Sequence, residues 1–233
     1  MTVAYKIAVK HSNRKTASIY PERDGSLSLL VPENTTEQTI NDILKANEYK
    51  IHKFQAKREL LNEHATKREP VNGQSFLYLG RNYYLQFNGE TKEIEFKGRY
   101  FYAPEGSSVM LDGLFKEFYR KRGYKFIPPR AKKFIPPRAK KFADMMGLTI
   151  EEISVQELKS RWASCSDKKR KVNFHWKVMM APASVIDYLI VHELCHFKHK
   201  RHNAEFWNEV DKYYPEYQKQ VSWLKVYGST LEI

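Results

Sequence analysis

The chain has 233 residues, 42% hydrophobic and 14% aromatic, with a formal net charge of +13. This composition excludes a disordered chain, and the length suits one large or two small globular domains. Two cysteines thirty positions apart exclude a disulfide framework and suit a reducing cytosol. The first fifteen residues have no apolar core of a secretion signal, and the uncharged stretch Val178–Ile186 is too short to span a bilayer. A cytoplasmic protein without membrane association is therefore expected.

Val3, Tyr5, Ile7 and Val9 alternate, which predicts a half-buried strand over residues 3–9. Strands are also predicted at 16–20 and 26–31, joined through the turn residues Asp24 and Gly25. Residues 36–64 carry Ile40, Ile43, Leu44, Ile51, Phe54 and Leu61 and predict one or two helices. Strand-like runs return at 76–79, 83–87, 93–96 and 99–103, with turns at Gly80, Asn88-Gly89 and Gly98. Residues 108–121 predict a helix carrying Leu111, Leu114, Phe115 and Phe118.

The positive charge is concentrated. Residues 116–141 hold 11 Lys and Arg against one acid, Glu117, leaving about +3 for the rest of the chain. Such a segment can attract nucleic acid by releasing its counterions, or it can be a solvated basic helix and loop. Inside it, FIPPRAKK at 126–133 recurs letter for letter at 134–141 and supplies six of those basic residues. Each Pro-Pro pair blocks a continuous helix, so a tandem duplication tolerated in an exposed connector is expected. A helix is predicted to resume near Ala139 and end at Gly147, followed by strands at 149–155 and 171–178. The fold class is α+β: a β-rich part at 1–105, a basic helical connector at 106–147, and an α+β part at 148–233.

That last part holds the chemistry. Residues 192–196 spell H-E-x-x-H, which a chain of this composition yields by chance only about 0.02 times. Val185, Ile186, Leu189, Ile190 and Leu194 recur at helical spacing after Pro182, so His192 and His196 share one helix face and can reach one metal ion. Glu193 can then act as base toward a metal-activated water. Catalytic zinc usually takes three protein ligands. His199 stands about 10 Å along an unbroken helix from His192, too far to share an ion with it. Spacing favours His202, provided the helix ends near 198–201 and the chain turns. Glu205, Glu209 and Glu216 are the carboxylate alternatives. Cys195 points about 100° away from its neighbour His196 and is not expected to be a ligand. Cys165 either is structural, which is the expectation, or lines the site. Phe206, Trp207 and Val210 are expected to pack behind the site.

The stretch Val191–Trp207 resembles the YgjP-like metallopeptidases, relatives of the SprT-like zinc proteases. Ser160–Ser166 (SRWASCS) resembles that family's R-W-G-S-C segment, with Ala163 where glycine is usual. Val172–Pro182, Asp187–Tyr188 and Arg14–Ile19 are also similar, and the likeness is strongest over 142–227. It implies a zincin-like catalytic region at 148–233, with Zn²⁺ held by His192, His196 and His202 and Glu193 as catalytic base. Arg161, Trp162, Ser164 and Asn173 are the candidate substrate-contacting residues. The resemblance also makes 171–178 a candidate edge strand for pairing with a peptide.

The expected function is a zinc metallohydrolase, foremost a peptidase acting on a peptide or protein. One alternative, implied by a YgjP-like member assigned UTP pyrophosphatase activity, is a nucleotide substrate with Arg161 holding phosphates. No Gly-rich phosphate loop accompanies it. Another is a nucleic-acid-associated SprT-like protein using residues 116–141, although no nucleic-acid-binding signature is visible.

Overall fold

A computed structural model of the chain describes residues 7–21, 27–52, 68–123, 134–158, 161–231 and 233. Contacts divide the chain into two compact units, Met1–Ala65 and Thr66–Ile233.

In the first unit, β1 (Ile7–Ser12), β2 (Ser18–Pro21) and β3 (Leu27–Pro32) form a sheet of order β1-β3-β2. The central strand β3 buries Leu27, Leu29 and Val31. Helix α1 (Glu37–Ala46) is capped by Thr36, whose hydroxyl accepts the Thr39 N–H at 3.3 Å. Val3, Tyr5, the Asp24-Gly25 turn and positions 53–64 of the expected helices lie outside the described residues.

The second unit begins with β4 (Ser75–Tyr78), β5 (Arg81–Asn88), β6 (Glu95–Lys97) and β7 (Tyr100–Pro104), in the order β4-β5-β7-β6. One face packs on α2 (Leu111–Gly123) through aromatic side chains: Phe76 stacks on Phe115 at 4.6 Å and Phe101 meets Phe115 edge-on at 5.1 Å. Tyr119 continues the chain of rings to Trp176 at 6.0 Å and donates its hydroxyl to the Leu77 carbonyl. Strands before position 105 and helices after it therefore share one core.

The second FIPPRAKK copy opens a helix. In α3 (Ile135–Met145), Pro136 and Pro137 occupy the first turn, where a missing N–H costs nothing. The helix thus starts earlier than expected, at Ile135. Ile135 and Ala139 are fully buried, so this copy belongs to the core rather than to an exposed connector. Arg138 donates to both oxygens of Asp187, at 2.8 and 2.7 Å. The helix ends at Met145 with Met146 as its C-cap, and Gly147 follows with a φ of +63° that suits glycine. The first copy, 126–133, lies outside the described residues. Elsewhere in the basic segment, Lys116 pairs with Glu157 at 2.7 Å and Lys121 pairs with Glu93.

Next come β8 (Glu152–Gln156), β9 (Ala163–Ser166) and β10 (Lys171–His175). The strand expected over 171–178 stops at His175, and 176–180 form a 3-10 turn. Nor is it an edge: β10 lies in the middle, parallel to β8 and antiparallel to β9. The edge beside the site is β9, a four-residue strand too short and polar to predict from periodicity.

Helix α4 (Ala183–Cys195) runs through the middle of this unit, with Val185, Ile186, Leu189, Ile190, Val191 and Leu194 buried. Its start is pinned by Gly80. A Cβ there would sit 2.8 Å from the Pro182 ring, and the Gly80 φ of +77° suits glycine. Helices α5 (Ala204–Tyr213) and α6 (Tyr217–Tyr227) pack against α4. No helix among the described residues is long and apolar enough to cross a membrane.

Candidate metal centre and cleft

His192 projects from the last turn of α4, and His196 caps its C-terminus. The chain then turns over 197–202, and Asn203 caps α5 by accepting the Phe206 N–H at 3.1 Å. This turn brings His202 back. Its Nε2 lies 3.0 Å from His192 Nε2 and 3.1 Å from His196 Nε2. Three nitrogens around a tetrahedral zinc stand about 3.3 Å apart, so the spacing fits one shared ion.

The donor chemistry fits as well. The His199 carbonyl can only accept, so the contact at 2.9 Å places a proton on His196 Nδ1 and leaves its Nε2 lone pair free for a metal. His192 Nδ1 meets the Tyr188 hydroxyl at 3.2 Å, one helical turn away. Burial, then the charges of His196 and His202, push the His192 pKa down to about 3. Burial, then His196, also lowers that of His202. Neutral imidazoles are what a cation requires.

Phe206 forms the wall behind the triad, with its ring 4.9, 4.6 and 4.7 Å from those of His192, His196 and His202. Trp207 stacks on His202 at 5.7 Å. The carboxylate alternatives are engaged elsewhere. Glu209 pairs with Lys198 at 2.8 Å, Glu216 pairs with Lys219 at 2.6 Å, and Glu205 accepts from Asn203 at 3.3 Å.

The triad opens into a cleft of about 760 Å³ that also holds Glu193. Burial pushes the Glu193 carboxyl up to about 7, against the pull of a hydrogen bond from the Cys165 thiol and of the Arg161 charge. Cys165 is pushed up to about 12, first by burial and then by the Glu193 charge, so its thiol stays protonated and donates. Of the two readings of Cys165, structural or lining the site, the second holds: it lies in the cleft against Glu193.

Strand alternation sorts the remaining candidates. Within β9, Ala163 and Cys165 line the cleft, and Arg161, Trp162 and Asp167 line it from either side of the strand. Ser164 and Asn173 do not. They lie side by side on the other face of the sheet, where Asn173 Nδ2 reaches Ser164 Oγ at 3.4 Å and Ser154 donates to Asn173 Oδ1 at 2.7 Å. Asn173 alternates with Val172 and Phe174, which point into the core. Ala163 lies in ordinary strand backbone without positive φ, so the family's glycine is not needed there. Sequence reasoning missed Tyr188, Leu189, Asp167, Lys200 and Leu224 as cleft residues. The i−4 spacing of Tyr188 from His192 is the one available signal.

A histidine triad and a glutamate in one cleft of an α+β fold define a metallohydrolase class of site. The model of the YgjP-like family, metallopeptidase domain, matches residues 15–227, and the chain belongs to that family. Two solved structures are similar in part. The metallopeptidase zymogen abylysin of Pyrococcus abyssi is 23% identical, covering 37% of this chain and 87% of its own, with TM-score 0.35. The metallopeptidase zymogen jannalysin of Methanocaldococcus jannaschii is 24% identical, covering 44% and 96%, with TM-score 0.36. No curated protein sequence matches the chain.

Proposed function

We propose that this protein is a zinc-dependent peptidase, with His192, His196 and His202 holding the ion and Glu193 handling the proton. One observation carries the reading: three Nε2 atoms converge within 4.8 Å of one another in the cleft that holds Glu193. When bound, zinc supplies Lewis acidity, lowering the pKa of a water to about 7 and polarising the attacked carbonyl. Glu193 takes the proton of the attacking water and passes it to the leaving amine nitrogen. Tyr188 and the His199 carbonyl hold the imidazoles in orientation through Nδ1. Phe206 closes the rear of the site to water. The edge of β9 offers backbone groups to an extended peptide. Arg161 and Trp162 stand where such a peptide would run.

The test uses purified, zinc-loaded protein beside Glu193→Gln, with cleavage of a peptide library read by mass spectrometry. Glu193→Gln is expected to keep one zinc per chain and lose 10²- to 10⁴-fold in turnover, roughly the worth of a general base. Loss of zinc from the variant would remove the assigned role. Pyrophosphate release from UTP, measured in parallel, separates the nucleotide reading. Glu193-dependent release without peptide cleavage would replace the peptidase reading.

A further inference from the structure

The histidine triad has two halves carried by different helices. His192 and His196 stand at the end of α4, whereas His202 stands one residue before Asn203, the cap of α5. The backbone joins these halves loosely. The N–H groups of Lys198 and His199 both bond to the Cys195 carbonyl, at 3.0 and 2.9 Å, and carry the end of α4 on to His199. Lys200, Arg201 and His202 then make no backbone–backbone hydrogen bond among the described residues. Such a stretch takes its place from the elements at its two ends and from side chains.

Phe206 and Trp207 face the His202 ring, but both belong to α5 and travel with it. Their contacts, like the burial of Phe206 and Val210, are non-directional and fix α5 only approximately. Directional bonds set its position. At the far end of α5 the Tyr214 hydroxyl donates to the Ser184 carbonyl at 3.0 Å. At the near end Lys198 donates to Glu209 at 2.8 Å, closing a ring of chain around His202. The other ties on this turn are weaker. Lys200 and Asp167 are 3.7 Å apart with side chains 79% and 39% exposed, and the exposed Arg170 lies 5.3 Å over the Phe197 ring. Lys198 and Glu209 are closer and only 38% and 17% exposed, so water screens them less.

We propose that Lys198 and Glu209 are positioning residues for the metal centre: their ion pair holds α5 at the end of α4, where His202 Nε2 meets those of His192 and His196. This rests on the zinc reading of the triad and is independent of which bond is cleaved. Glu209, a rival ligand by spacing, thus acts through His202 instead. Without the pair, zinc binding must itself order the stretch from Lys200 to His202, and affinity falls. Losing a partner that orients a metal ligand costs about 10- to 100-fold in affinity; a partly exposed ion pair one step removed should reach the lower end, about tenfold.

The test measures zinc affinity on the full chain by competition with a chromophoric chelator, without substrate. Lys198→Met and Glu209→Gln should each bind about tenfold more weakly than the parent, the double variant should lose no more than either alone, and Lys198→Arg should stay within about threefold. The spectroscopic readout is the visible absorption of the cobalt-loaded proteins, which reports the number and geometry of the ligands. The bands of both single variants should move toward those of His202→Ala, a change that a loss of stability elsewhere would not produce. A loss below about threefold in either single variant would overturn the proposal. So would losses that add in the double variant, or cobalt bands identical to the parent's. A parent that binds no zinc would sink the triad reading and this inference with it. A parent that binds zinc yet cleaves no peptide, with both single variants weakened, would leave this inference standing and sink the peptidase reading alone.

Discussion

Arg138 ties the duplicated segment to the helix that carries His192, and the strength of that tie can be measured. Its guanidinium meets both Asp187 oxygens at 2.8 and 2.7 Å. With charge centres about 4 Å apart and an effective dielectric near 20, the attraction is about 4 kcal/mol. Arg138 is 36% exposed and Asp187 18%, so water and side-chain ordering recover much of that. The net coupling should be about 1–2 kcal/mol. Arg138→Met leaves the more buried carboxylate unpaired and should cost about 2 kcal/mol. Asp187→Asn leaves an arginine that can turn to water and should cost about 1 kcal/mol. All four tryptophans lie between positions 162 and 223, so their fluorescence in a urea titration reports on this unit. The cycle of single and double variants isolates the pair. In melting temperature, each single variant should lose about 2–8 °C at roughly 2–4 °C per kcal/mol. If the two losses add within about 0.5 kcal/mol, the pair is not coupled, and the second repeat is held by Ile135 and Ala139 alone.

Phe206→Ala empties the wall behind three imidazoles and should destabilise by about 3–5 kcal/mol, with Phe206→Leu losing far less; calorimetry decides. Tyr188→Phe removes the partner of His192 Nδ1 and should weaken zinc binding about tenfold in a chelator competition, with little change in melting temperature. Glu157 is exposed, and hydrogen bonds from Lys116, Trp176 and His175 outweigh the partial desolvation of its carboxyl and hold it down at about 2. A carboxylate with a depressed folded-state pKa contributes its full stability above the ordinary range near 4.5 and loses it as pH falls toward 2. The melting-temperature gap between the parent protein and Glu157→Gln should thus be open at pH 6–7 and close between pH 4.5 and 2. A gap unchanged at pH 2.5 would contradict that account.

The spacing of His192, Glu193 and His196 determined, without tertiary structure, that two imidazoles share a helix face beside a carboxylate, because the helical period is fixed by the backbone. The apolar rhythm of 185–194 and the helix stop at Gly147 were legible for the same local reason. The third histidine was not fixed this way. His202 reaches the triad only because the helix ends at Cys195, the chain turns and Asn203 starts a new helix, and spacing alone left three glutamates as rivals. Strand-level questions were decided by pairing between distant segments. Which of β9 and β10 forms the edge, and therefore that Cys165 faces Glu193 while Ser164 and Asn173 face away, follows from a register that one strand's sequence does not carry. The same holds for the repeat. Its Pro-Pro pair argued against a helix, and packing against α4 makes the second octapeptide the start of a buried one, with Ile135 in the core and Arg138 on Asp187.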